Sequence, residues 1–164
     1  MEETATSRIN GNQHPSPDSA LGLLSADHAR LRDLFDAFDR TSRAAPEQTE
    51  RVAGEICREL RILGRIEQEI VYPAVGEVSE LSFLVQVAIH DHAEFNTTAD
   101  QIEGLTAQDD ALKGLVLQLR EEVERHLVEE AELFFPQIAK MTPSRIKSMG
   151  VAYDRLRQRL TEGS

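Results

Sequence analysis

The sequence predicts an all-α protein, an up-down antiparallel four-helix bundle with an additional C-terminal helix. Three observations carry that prediction. Apolar residues recur at spacings of three and four from Asp18 onward, with no strand-like alternation of useful length. Prolines and glycines divide this pattern into five segments with short connections, which favours antiparallel neighbours. The chain has 164 residues, 40% hydrophobic and 29% charged, the size and mix of one ordinary globular domain.

Residues 1–17 (MEETATSRINGNQHPSP) are polar and end in two prolines, so a disordered tail is expected there, with His14 incidental. The first helix is expected from Asp18 to Ser42, on a seam of Leu21, Leu24, His28, Leu31, Phe35 and Phe38. The second should start near Pro46 and stop near Tyr72, before Pro73, on Ala53, Ile56, Leu60, Leu63, Glu67 and Ile70. The third should span Glu80 to Glu103, ending at Gly104, on Leu81, Leu84, Ala88, His92, Phe95, Ala99 and Ile102. The fourth should run from Asp109 to Phe135, broken by Pro136, on Leu112, Leu115, Leu119, Val123, His126, Glu130 and Leu133. A fifth follows the Thr142-Pro143 start, striped by Ile146, Met149, Tyr153, Leu156 and Leu160, and should pack on the outside or one end of the bundle. The expected division is therefore a tail over 1–17, a bundle over 18–141 and a packed helix over 142–164.

A weak duplication runs through the bundle. Asp27-His28-Ala29 recurs as Asp91-His92-Ala93, and EQEIVYP from Glu67 recurs as EAELFFP from Glu130. The histidine-to-glutamate gaps are 39 and 38 residues. Each half is then a hairpin with histidine on its first helix and glutamate on its second. Pairing the hairpins brings both histidines and both glutamates to one level of the core. The halves differ one turn before the glutamate: His126 stands there in the second, Leu63 in the first.

Five polar residues thus occupy apolar seams: His28, Glu67, His92, His126 and Glu130. A buried carboxylate must pair, protonate or coordinate, and no seam carries Lys or Arg. The compensating charge comes from histidinium or a bound cation. Imidazole with carboxylate suits iron, manganese or zinc. Two glutamates could bridge two metals; a two-histidine, one-carboxylate triad would hold a single iron. His90, two residues from His92, points about 200° away and reads as surface. Glu69, Glu129 and Glu132 read as solvated. Tyr72 and Phe135 fall at matching places near the hairpin ends and read first as core packing; the alternative for Tyr72 is approach to a metal that has lost a histidine. Cys57 reads as a small buried hydrophobe.

The run IEQEIVYPAV (Ile66 to Val75), HLVEEAELFFP (His126 to Pro136), Asp91-His92, and Asp27-His28 with Leu31 and Phe35 resemble the hemerythrin-like, HHE cation-binding domain family over about residues 20–141. The resemblance implies a four-helix bundle with a non-haem iron site, usually dinuclear, bridged by carboxylates and an oxo or hydroxo group. It implies His28, His92 and His126 as terminal ligands and Glu67 and Glu130 as bridges. Family members are associated with oxygen binding, iron or oxygen sensing, and nitric oxide or peroxide handling. The sequence departs from the family pattern at Leu63, where a histidine ligand is expected. Asn96 stands where oxygen carriers have a second histidine one turn on from His92. The departures count against simple oxygen carriage: the poorer site could have an open coordination position, suited to redox chemistry or sensing, or hold one metal only, or none.

Composition narrows the function classes. The 18 basic and 29 acidic residues give a formal charge of −11, which disfavours nucleic acid and anionic membrane surfaces. The single cysteine allows neither an internal disulfide nor a cysteine-based zinc site. No apolar run approaches a membrane span, and no signal-peptide core is seen, so a cytoplasmic setting is expected. The leading expectation is a (di)iron-binding protein that senses or handles oxygen, peroxide or nitric oxide, or serves iron homeostasis. Peroxide or nitric oxide turnover is its enzymatic version. The alternative is a metal-free acidic helical interaction module, in which Glu67→Leu would stabilise the fold by relieving a buried charge.

Overall fold

The computed structural model describes residues 15–42 and 44–163. Most of the expected tail, with His14, lies outside the described residues. The first helix, α1 (Ala20–Asp39), begins at Ser19, whose hydroxyl accepts the Gly22 N–H at 3.1 Å. Helix α2 (Pro46–Ile66) opens on Pro46, a residue whose missing N–H is harmless in the first turn. A 3₁₀ turn (Ser79–Leu81) leads into α4 (Ser82–Glu103), which stops at Gly104. Helix α5 (Asp110–Leu133) follows, and α7 (Pro143–Glu162) is capped by Thr142, which accepts the Arg145 N–H at 3.3 Å.

Pro73 and Pro136 do not end their helices as expected. After Ile66 the chain makes a π-helical turn (Glu67–Val71) and continues as α3 (Tyr72–Val75). The extra residue lets the Tyr72 N–H reach back five positions to the Glu67 carbonyl, and Pro73 then falls in a first turn, where no N–H is needed. In the second half α5 halts at Phe134 and resumes as α6 (Phe135–Ala139), with Pro136 again in a first turn. Both shifts move the buried face by one residue. Val71 is buried where Ile70 was expected, and Phe134 where Leu133 was expected.

Helices α1, α2, α4 and α5 pack in a ring: α1 against α2 and α5, and α4 against α2 and α5. Helix α7 lies outside the ring against α1, α2 and the π turn. Leu24, Leu31, Ile56, Leu60, Leu63, Ile66, Leu119 and Leu127 form a continuous apolar core. Arg32 clamps Glu124 across α1 and α5, and Arg61 clamps Asp100 and Glu103 across α2 and α4. Such exposed pairs contribute register more than stability. Among the described residues no helix is long and apolar enough to cross a membrane.

Candidate metal centre

Each helix of the ring delivers a polar side chain to one buried level. Helix α1 supplies His28, the π turn Glu67, α4 His92, and α5 both His126 and Glu130. Glu67 is fully buried, and the other four expose 2% each. One ligand atom each from Glu67, His92, His126 and Glu130 lies within 4.8 Å of the others. His28 Nε2 lies 3.5 Å from Glu67 Oε1 and 3.3 Å from Glu130 Oε2.

A sixth residue joins them. The Tyr72 hydroxyl donates to Glu130 Oε1 at 2.7 Å and lies 3.2 Å from Glu67 Oε2, 3.1 Å from His92 Nε2 and 3.4 Å from His126 Nε2. The packing role expected for Tyr72 is therefore corrected: its ring is core, but its hydroxyl is in the middle of the cluster. Helical periodicity conceals it. Five residues of α-helix turn about 500°, which would aim Tyr72 well away from Glu67. The π turn removes that offset and puts both on one face. The one sequence signal was a polar tyrosine at the place its repeat mate gives to Phe135. Phe135 itself packs on His28, ring centroids 5.4 Å apart.

The carboxylate oxygens divide the cluster. Glu67 Oε1 and Glu130 Oε2 face His28. Glu67 Oε2 and Glu130 Oε1 face His92, His126 and Tyr72, with His92 Nε2 at 2.6 Å from Glu67 and His126 Nε2 at 3.4 Å from Glu130. One side thus has three candidate ligand atoms and the other five. Leu63, one turn before Glu67, is buried core on the poorer half. Asn96 is exposed and takes no part, as are His90, Glu69, Glu129 and Glu132.

Electrostatics within the cluster follow from burial and mutual pairing. Burial pushes the Glu67 carboxyl up, but the neighbouring imidazoles of His126, His28 and His92 outweigh it and hold the group well below the usual carboxylate range. Burial disfavours charge on His28, yet Glu130 and Glu67 raise it to about 9; the same carboxylates raise His126 to about 11. Burial, reinforced by the Glu67 and Glu130 charges, pushes the Tyr72 phenol well above its ordinary value. Without metal, the two carboxylates are therefore matched by imidazolium.

The residues fit a cation on one further observation. Glu130 Oε2 is, among the described residues, the one buried side-chain polar atom with no hydrogen bond; His28 Nε2 is near it but misaligned. An orphaned carboxylate oxygen in an apolar core is costly, and a cation would satisfy it. Two supports aim the histidines. Asp91 Oδ2 lies 3.2 Å from His126 Nδ1, which leaves Nε2 to face the carboxylates. Gly64 lets the His92 ring lie against α2, since a Cβ there would be 2.7 Å from His92 Nδ1. Phe95 stands edge-on to His92 and His126, at 5.5 and 5.3 Å. Between α4 and α5 a narrow cavity of ≈ 20 Å³, lined by Leu84, Val87, Leu133 and Phe134, reaches His126 and Glu130. Larger depressions of ≈ 370 and ≈ 450 Å³ touch none of the six residues.

The fold has a counterpart among solved structures. No match was found among curated proteins. A solved structure of a hemerythrin HHE cation-binding domain-containing protein from Mycobacterium kansasii superposes with a TM-score of 0.76 over 88% of each chain, at 18% identity. The model of the hemerythrin HHE cation-binding domain matches residues 19–138, which include all six residues of the cluster. The chain belongs to the hemerythrin HHE cation-binding domain family.

Proposed function

We propose that this protein holds two non-haem iron ions in unequal sites and uses them to bind or turn over a small ligand, dioxygen, nitric oxide or peroxide, in the reducing cytoplasm. The observation that carries the reading is the division of the carboxylate oxygens. Each glutamate offers one oxygen to His28 and the other to His92, His126 and Tyr72. One metal ion would be held by His28 with one oxygen of each glutamate, and a second by His92, His126 and Tyr72 with the other two. The His28 side has no second histidine because of Leu63, so its iron would retain open positions. The Tyr72 oxygen adds a fifth donor to the other side.

An iron pair supplies one-electron redox chemistry and a Lewis-acidic site for a small oxygen or nitrogen ligand. The chain does the rest. Helix packing excludes bulk water, and the slit between α4 and α5 has room for about one water-sized molecule, which restricts the ligand to a few atoms. Without metal the Tyr72 hydroxyl donates to Glu130 Oε1 at 2.7 Å, and as a ligand it would give up that proton. Asp91 holds the His126 ring so that Nε2 keeps its aim.

Elemental analysis after anaerobic ferrous reconstitution and desalting tests the proposal. About two irons per chain are expected. About one overturns the dinuclear reading. None, with helicity intact, overturns both and leaves the metal-free interaction module. Tyr72→Phe separates the sites further. Oxidised natural protein should show a visible phenolate-to-ferric absorption that the variant lacks. Absence of that band from the natural protein would remove Tyr72 from the ligand set.

A further inference from the structure

The duplication makes a comparison possible between the two halves. In the second, Asp91 from the Asp-His-Ala motif of α4 reaches the Nδ1 of His126 on α5 at 3.2 Å. The corresponding pair in the first half is Asp27 on α1 and Leu63 on α2. Leucine has no proton to give, so Asp27 loses the partner its mate has. Yet Asp27 is 5% exposed, and a buried carboxylate needs donors.

Both donors come from α7, which lies beyond the 19–138 match. The Tyr153 hydroxyl donates to Asp27 Oδ2 at 2.6 Å, and Arg157 Nη1 to the same oxygen at 2.9 Å. The other arm of Arg157 donates to Glu59 at 2.6 Å. Glu59 is one turn before Leu63 on α2, so the guanidinium spans α1 and α2 beside the position where the histidine is missing. Tyr153 is fully buried and Gly150 lets α7 lie flush against the start of α1, where a Cβ would come 2.5 Å from the Asp18 carbonyl.

We propose that α7 replaces the missing histidine as the partner of Asp27, Tyr153 and Arg157 holding that carboxylate and, through it, the helix turn that presents His28. Asp27, Tyr153 and Arg157 are positioning residues for the His28 side of the cluster. The consequence for metal rests on the dinuclear reading above; the pairing itself does not. Loss of histidine at position 63 and docking of α7 are then one coupled feature. A histidine restored at 63 would have to share Asp27 with Tyr153 and Arg157.

A double-mutant cycle of Leu63→His and Tyr153→Phe tests this in the full chain, first without metal. Each single change should lower the melting temperature. The double variant should lose less than the sum, because the freed Asp27 accepts the Nδ1–H of the new imidazole. Strictly additive losses overturn the proposal, whether or not the protein binds iron. With ferrous iron or zinc as the probe, the double variant should also retain more metal than Leu63→His alone. Tyr153→Phe by itself covers the case in which the double variant does not fold. It should weaken one of the two metal equivalents about tenfold or more and leave the other unchanged. Equal weakening of both, or of neither, overturns the positioning role. Failure of the natural protein to hold metal would overturn the dinuclear reading and leave the melting cycle to decide the Asp27 pairing.

Discussion

Gly64→Ala should weaken metal binding at the candidate centre while leaving the fold nearly intact. A Cβ at position 64 would lie 2.7 Å from His92 Nδ1, 3.2 Å from Cε1 and 3.3 Å from Cγ. Relaxed contact needs about 3.5 Å, so the ring must move by about 0.8 Å. It has little freedom to do so. Its Nε2 is 2.6 Å from Glu67 Oε2, and His126 and Phe95 stand edge-on at 4.7 and 5.5 Å. Ligands tolerate displacements of about 0.5 Å, so a loss of metal affinity of about 10- to 100-fold is expected. Stability moves less. Overpacking costs about 1–3 kcal/mol, and alanine in place of a mid-helix glycine returns about 1 kcal/mol. The net loss is at most about 2 kcal/mol, or about 4–8 °C in Tm. Gly54 lies on the same helix, and a Cβ there would meet nothing within 4 Å, so Gly54→Ala is the control. It should gain up to about 1 kcal/mol and keep its metal. Competitive zinc titration and circular dichroism on both variants provide the assay. Undiminished metal affinity in Gly64→Ala, or metal loss only together with loss of helicity, would refute the reasoning.

Glu67→Leu should destabilise the metal-free protein by about 3–5 kcal/mol, because it leaves two imidazolium groups, His28 and His126, with Glu130 as their one remaining carboxylate. Denaturant melts check this, and a stabilised variant would favour the metal-free interaction module instead. The pH dependence of metal-free stability has a defined sign. His28 and His126 are raised to about 9 and about 11, so their contribution is complete below an unfolded value of about 6.5 and is lost as pH rises through those values. Glu67 is lowered, so its contribution is present above about 4.5 and is lost as pH falls below that. Denaturation midpoints should therefore fall between about pH 6.5 and pH 10, and a flat or rising profile would contradict the pairing. Metal must displace the protons of His28 and His126, so calorimetric titration near neutral pH should show proton release that depends on buffer ionisation enthalpy. Buffer-independent heats would count against both as ligands.

Much of the site was legible before folding was considered. His28, Glu67, His92, His126 and Glu130 interrupt apolar stripes, and a polar residue on a stripe faces the core by helical geometry alone. Tyr72 was legible only as a minor alternative to core packing, because period 3.6 aims it away from Glu67. Asp27 and Asp91 sit one residue off the seam and are nonetheless buried, since each has a donor on another helix: Tyr153 and Arg157 for one, His126 for the other. Position along a single helix carries no trace of such partners.

The helices, their order and the five inward polar residues were determined by the sequence itself, because burial of an apolar stripe is a local, periodic property that each segment carries alone. Tertiary structure decided the rest. The π turn arises where Pro73 must be accommodated in a helix that still packs, and it turns Tyr72 onto the face of Glu67. The division of carboxylate oxygens between His28 and the His92–His126–Tyr72 group exists only when four helices meet. The capture of Asp27 by α7 joins residues 126 and 130 positions apart. Side-chain direction and long-range pairing are set by packing, and packing is a property of the assembled chain.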